Sequence, residues 1–187
     1  TLRPGTIKIV APPAAPVPNN DPASGVSGLT GNEDTKFTTA SVLLNDTDAN
    51  GDTFFVSSFT QPAKGIVTDK GNGRFEFDPN GQFETLPAGQ SETVSFSYRI
   101  KDSTDRESTS SGTVTITING VNDAPVVSGD ATGLFLNQGG AAASYNLPAL
   151  IAHASDVDTG DKLTVTVDAS TLPAGVSAMP RSRTVPR

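Results

Sequence analysis

The stretch TVSFSYRI, Thr93 to Ile100, alternates polar and apolar side chains without a break. Val94, Phe96, Tyr98 and Ile100 fall on one side, and Thr93, Ser95, Ser97 and Arg99 on the other. A period of two belongs to a strand with one buried and one wet face. Working outward, TVTITI (113–118) repeats the pattern with Val114, Ile116 and Ile118. Shorter strand-like segments are FFV (54–56), GIVT (65–68), RFEF (74–77) and KLTVTV (162–167). KGNG (70–73), DPNG (78–81) and LPAG (86–89) supply turns, because Gly, Asn and Pro suit the backbone angles that tight turns need. No segment carries a sustained helical period with caps. The pattern predicts an all-β sandwich.

The chain has 187 residues, a net charge of −7 and no cysteine. The negative charge argues against nucleic acid as a partner, since phosphate binding needs clustered Lys and Arg, and favours cations. Disulfides are unavailable as braces, so a ligand that binds only the folded state is one remaining way to stiffen a small domain. No apolar run approaches the roughly 20 residues of a membrane span, so no membrane insertion is expected. Thr1 to Val10 lacks the apolar core of a signal peptide, and the chain reads as a piece of something longer.

A repeat underlies the strand pattern. GTVTITINGVNDAP (112–125) is echoed by GTIKIVAPPAAP (5–16), with NNDP following at 19–22. Gly5 and Gly112 stand 107 positions apart, and Asp46 and Asp156 stand 110 apart. The expected organisation is the last strand of a preceding repeat plus a Pro/Ala linker over 1–19, a complete repeat over 20–120, and a partial second repeat over 121–187. APPAAPVP (11–18) reads as a stiff, extended connector. A half-sandwich leaves its inner face uncovered, so 121–187 is expected to be marginal alone. Its tail, MPRSRTVPR, departs from the acidic body of the chain.

Two acidic loops sit on this frame, NDTDANGD (45–52) and SDVDTGD (155–161). Calcium takes 6–8 oxygen ligands from carboxylates, amides and carbonyls, and Asp-x-Asp with Asn or Gly beside it supplies them in a tight turn. Asp46-x-Asp48-x-Asn50-Gly51 matches the opening of an EF-hand loop, but Ser57 stands where the twelfth-position Glu belongs and the flanks read as strands. A solvated turn is the bland alternative for either loop. Two copies at matched spacing, each downstream of an Asn-Asp-Pro-type linker, favour Ca2+.

Taken together, Glu33-Asp34-Thr35, LLNDTDANGD (43–52), SFSYRIKD (95–102), GTVTITINGVNDAP (112–125) and DVDTGD (156–161) resemble bacterial cadherin-like repeats. LPAGQSETVSFSYRI and the VNDAP junction are similar to the VCBS-type repeats of large RTX-type adhesins. The resemblance implies Greek-key, immunoglobulin/cadherin-like sandwich repeats in tandem on a secreted or cell-surface protein, with calcium at domain junctions. It implies one junction set of Glu33, Asp34, Asp102, Asn122, Asp123, Asp156 and Asp158. An equivalent upper set would draw on Asn20, Asp21, Asp46 and Asp48.

Catalysis finds little support in the sequence. GxSxG, P-loop and HExxH motifs are absent, and the single histidine, His153, reads as structural. Asn45-Asp46-Thr47 matches a glycosylation acceptor but lies inside the ion loop. The expected function is a calcium-ordered structural and adhesion module whose partners are neighbouring repeats of the same chain. The alternative is a calcium-dependent polysaccharide-binding module, or one that binds another cell-surface protein.

Overall fold

The computed structural model describes residues 13–22, 29–128 and 154–163. Among them are nine strands: β1 (Leu29–Asn32), β2 (Phe37–Thr38), β3 (Phe54–Phe59), β4 (Ile66–Gly71), β5 (Arg74–Asp78), β6 (Ser91–Asp102), β7 (Gly112–Asn119), β8 (Val126–Val127) and β9 (Ala154–Ser155). One 3-10 turn, Val42–Asn45, precedes the first acidic loop. No α-helix occurs among the described residues. The chain divides into two units; the described part of the first is 13–22, 29–83 and 91–119, and that of the second is 84–90, 120–128 and 154–163.

The first unit is a two-sheet sandwich. One sheet has the order β1-β7-β6-β3 and the other β2-β5-β4. β1 runs parallel to β7, while β7–β6, β6–β3, β2–β5 and β5–β4 are antiparallel. The alternation of TVSFSYRI places Val94, Phe96, Tyr98 and Ile100 inward, with Val114, Ile116 and Ile118 beside them on β7. Phe75 and Phe77 of β5 and Val67 of β4 close the core from the opposite sheet. The Phe75 ring lies 4.9 Å from that of Phe96 and 5.2 Å from that of Phe59, edge-on to both. That geometry suits the ring quadrupoles and locks the two sheets in register.

Three of the short segments lengthen in the structure. FFV becomes the six-residue β3, with a register shift between Val56 and Ser58; GIVT and RFEF become the β4–β5 hairpin. The first two residues of KLTVTV, Lys162 and Leu163, are not in a strand, and 164–167 lie outside the described residues. GTIKI (5–9), His153 and the MPRSRTVPR tail also lie outside them.

Residues 13–22 form a strap that is part of the first unit. Val17 and Thr47 exchange backbone hydrogen bonds of 2.7 and 3.1 Å. Asp21 then docks alongside β7, donating to the Thr113 carbonyl and accepting from the Thr115 N–H, both at 2.8 Å. Gly112 makes this approach possible: a Cβ there would stand 2.6 Å from the Tyr98 ring and 2.7 Å from the Asn19 carbonyl oxygen. The Gly of the repeated Gly-Thr pair is therefore a packing requirement.

In the second unit β8 pairs antiparallel with β9, Val126 opposite Ser155 and Val127 opposite Ala154. The Thr159 N–H donates to the Thr85 carbonyl at 3.2 Å, fixing the second acidic loop to the 84–90 segment.

Truncating Phe75 empties the centre of the sandwich at a fully buried ring. Phe75→Ala should cost about 3–5 kcal/mol of unfolding free energy. Urea denaturation checks this, and a loss under about 1 kcal/mol would contradict the assigned packing.

Candidate metal centres

The first loop is organised by Asp48. Its Oδ1 accepts from the N–H groups of Asn50 (2.8 Å) and Asp52 (3.1 Å), and the Gly51 N–H donates to the Asp48 carbonyl at 3.2 Å. Gly51 sits at φ +76 with open space where a Cβ would go, so the turn needs its conformational freedom rather than its small size. The strap reaches the same loop: the Ala14 N–H donates to Asn50 Oδ1 at 2.6 Å.

The second wall is the end of β6. The inward face that carries Phe96, Tyr98 and Ile100 continues by parity to Asp102, whose exposure is 1%. Asp102 Oδ1 accepts three hydrogen bonds: from the Thr104 N–H (2.8 Å), the Thr104 hydroxyl (2.9 Å) and the Arg106 N–H (2.9 Å). Burial alone would raise the Asp102 pKa. The bonds from the Arg106 backbone and from Thr104, with the Arg106 charge, outweigh it and hold the carboxyl below its ordinary value. The Ser103 N–H bonds the Thr53 carbonyl at 2.8 Å, which draws the end of β6 against the residue that follows Asp52.

Carboxylate oxygens of Asp48, Asp52 and Asp102 thereby lie within 4.8 Å of one another. In both Asp48 and Asp102 one oxygen is spent on the loop backbone. The other, Oδ2 in each case, is buried with no hydrogen-bond partner. A buried, unpartnered carboxylate oxygen is costly unless a cation or donor meets it. An all-oxygen donor set of this kind fits a hard divalent cation such as Ca2+.

Asp46 takes a different part. Its carboxylate accepts from the Asn19 N–H at 2.7 Å and from the Tyr98 hydroxyl at 3.0 and 3.1 Å. The same hydroxyl lies 2.9 Å from the Asn19 carbonyl, 3.1 Å from Asp21 Oδ2 and 3.2 Å from the Val42 carbonyl. One proton cannot serve all these acceptors at once. Burial, and then the Asp46 charge, push Asp21 up to about 6 against the opposing bond from Tyr98. Burial also raises Asp46, opposed by the Asn19 and Tyr98 bonds. Burial and the two carboxylate charges hold the Tyr98 phenol well above its ordinary range. Asn20 completes the strap's attachment, accepting from the Thr113 N–H at 3.0 Å.

Glu33 and Asp34 follow β1 at the opposite end of the sheet. The Glu33 N–H bonds the Asn119 carbonyl at 3.2 Å, and Asn119 is opposite Ser91, the first residue of β6. At about 3.3 Å per residue, β6 puts roughly 36 Å between Ser91 and Asp102. Asp102 therefore joins Asp48 and Asp52, and does not join Glu33 and Asp34 as the cadherin-like resemblance implied. Glu33 is 2% exposed, while Asp34 is exposed.

The second unit repeats the loop chemistry. Carboxylate oxygens of Asp156, Asp158 and Asp161 lie within 4.8 Å of one another. The Asp158 N–H donates to Asp156 Oδ1 at 3.0 Å, and the Asp123 N–H to Asp158 Oδ2 at 2.8 Å. Asp158 is 4% exposed, and its Oδ1 is buried without a hydrogen-bond partner. Asn122 turns its side-chain amide onto the Asp123 carbonyl at 2.7 Å. In both loops the closing Asp, Asp52 or Asp161, joins the cluster although the ligand sets implied by the resemblance leave it out. The signal was present: each follows a glycine at positive φ, Gly51 or Gly160, at the end of the shared Gly-Asp ending.

A model of the bacterial cadherin-like domain matches residues 19–120, more than half of the chain. The chain belongs to the bacterial cadherin-like family. The match begins at Asn19, where the strap meets Tyr98, and ends just past β7, so one cadherin-like domain contains both the Asp48–Asp52–Asp102 cluster and the Tyr98 hydrogen bonds. No curated protein matches the chain. Among solved structures, a nucleoside hydrolase-related hypothetical protein from Saccharophagus degradans, associated with carbohydrate metabolism, is similar at 15% identity and a TM-score of 0.34, over 58% of this chain and 26% of that one.

The Asp21–Asp46–Tyr98 group makes a pH prediction. Both carboxyls are raised in the folded chain. The Asp21 contribution to stability is full below the ordinary value of 3.8 and fades as pH rises through about 6. The Asp21 carboxyl carbon, followed by NMR in calcium-free buffer, should titrate with a midpoint about 6. A midpoint near ~4, the value for a solvated aspartate, would remove the arrangement. Asp21→Asn should flatten the decline in stability over the same range.

Proposed function

We propose that this cadherin-like chain is a calcium-ordered spacer and adhesion module of a secreted or cell-surface bacterial protein. The observation that carries the proposal is the pair of buried, unpartnered Oδ2 atoms of Asp48 and Asp102, in a cluster with Asp52. The Asp156–Asp158–Asp161 cluster, with its own unpartnered Oδ1, supports it independently. Glu33, Asp34, Asn122 and Asp123 are proposed as further ligands where cadherin-like repeats follow one another. When bound, the cation supplies charge neutralisation to carboxylates that otherwise repel.

The chain's own residues do the rest. Asp48 and Asp102 each commit one oxygen to the backbone and so arrive pre-oriented. Asn50 links the loop to the strap through the Ala14 N–H, so an ordered loop holds the strap down. Extracellular placement follows the usual setting of such domains, and among the described residues no helix is long and apolar enough to cross a membrane. A saccharide-binding reading calls for a cluster of exposed aromatics, and Phe55, at 53%, is the one large aromatic that stands exposed among the described residues. The VCBS-type and RTX-adhesin setting rests on sequence similarity alone.

Calorimetric titration of calcium into metal-free protein, with melting followed in parallel, tests the proposal. Saturable binding is expected, with a stabilisation of about 2.7 kcal/mol at a hundredfold excess over the dissociation constant. Asp48→Asn and Asp102→Asn should each weaken binding by at least about tenfold, since even supporting residues of a metal site cost that much. Absence of binding at about 1 mM calcium, the weak end of the range for extracellular calcium modules, would reduce both loops to ordinary turns.

A further inference from the structure

Among the described residues β4 is the longer of the two edge strands of its sheet, in the order β2-β5-β4. In an antiparallel edge strand, alternate residues turn both backbone groups away from the sheet, and those groups are a template for another strand. Val67 is such a residue, and its outward groups are both taken. Gln61 Nε2 donates to the Val67 carbonyl at 2.8 Å, and the Val67 N–H donates to Gln61 Oε1 at 2.8 Å. The side-chain amide thus makes the two-point contact that a paired strand's peptide would make. Just before the strand, the N–H of Gly65 donates to Gln82 Oε1 at 3.2 Å.

These glutamines come from different places. Gln61 follows β3, which is anchored through the Thr60 N–H on the Ser97 carbonyl at 2.9 Å; Gln82 follows β5, in the turn closed by its own N–H on the Pro79 carbonyl at 3.1 Å. Their convergence on one strand edge has no part in the acidic clusters or the strap. In the other sheet one of the two outer strands, β3, carries a register shift at Val56/Ser58 instead. We propose that Gln61 and Gln82 are a side-chain seal that denies the β4 edge to the same edge of a second copy of this chain. A second copy is the relevant occupant because the two edges are identical, so that antiparallel pairing of one with the other would satisfy the outward groups of both at once. The inference goes beyond the calcium reading and does not depend on it.

The test uses the whole chain, with Gln61→Ala and, in case that variant folds poorly, Gln61→Glu. The glutamate keeps the acceptor for the Val67 N–H and loses the donor to its carbonyl. Two readouts are taken together: hydrogen exchange of the Val67 amide, and weight-average mass by sedimentation over a concentration series. The seal predicts that the Val67 amide of the parent is protected despite its edge position. It predicts that Gln61→Ala exchanges that amide at least about tenfold faster and self-associates with rising concentration, with Gln61→Glu associating while retaining more of the amide protection. A Gln61→Ala chain that loses protection and stays monomeric overturns the proposal, as does one that associates although its Val67 amide, exchanged at dilution, is as protected as in the parent; if Gln61→Ala does not fold, a folded Gln61→Glu chain that stays monomeric overturns it.

Discussion

The inward face of β6 changes chemistry along its length, and the rest of the first unit depends on that gradient. Val94, Phe96 and Ile100 are ordinary core residues, and Tyr98 among them carries one polar atom into the interior. Asp102, next in the same row, ends the face with a carboxylate. A strand offers no choice of face once its register is set, because a slip of one residue inverts every side chain. The pairing of β6 with β7 over eight positions sets that register. Packing against Phe75, capture of the strap by the Tyr98 hydroxyl, and burial of Asp102 beside the first acidic loop are therefore one event.

Much of this was legible in the sequence, and the legible part was the periodic part. TVSFSYRI and TVTITI identify their own core residues, since each alternates over at least six positions; of the shorter segments, FFV pairs with TVSFSYRI, while GIVT and RFEF pair with each other in the opposite sheet. The extension of β3 to Phe59 was harder to see. Ser57 and Ser58 break the alternation, because the register shift there puts an extra residue into the strand. The strap was read as a connector from its Pro/Ala composition. Its backbone bonds to Thr47, Thr113 and Thr115 are long-range, and nothing local to residues 13–22 encodes them.

The acidic residues were legible as a set and not as groups. The cadherin-like resemblance puts Asp102 at the end of the sheet where Glu33 lies. Deciding between the ends requires knowing that β6 enters at Ser91 beside Asn119 and leaves at Asp102, which is topology, not pattern. Asp46 and Asp48 look equivalent in Asp-x-Asp. Tertiary context separates them: the 3-10 turn ends at Asp46 and gives it to Asn19 and Tyr98, while Asp48 turns its loop back on itself. Asp52 and Asp161 stand outside the Asp-x-Asp pair that points to metal, although the Gly-Asp ending is the more uniform feature of the two loops.

The parallel pairing of β1 with β7 has a mechanical meaning. Leu29 to Asn32 lie in register with Ile116 to Asn119, and Asp21 joins the same edge further up. Tension on the chain from both sides draws β1 toward its start and β7 toward its end, in opposite directions along one shared axis. Their hydrogen bonds are then loaded in shear, all together, and cannot open one at a time like a zip. The attachments of the strap at Thr47, Thr113 and Thr115 lie on the loaded path ahead of β1, so they take force first. A tether built from such units resists pulling through the direction of its terminal strands, before any ion or partner contributes.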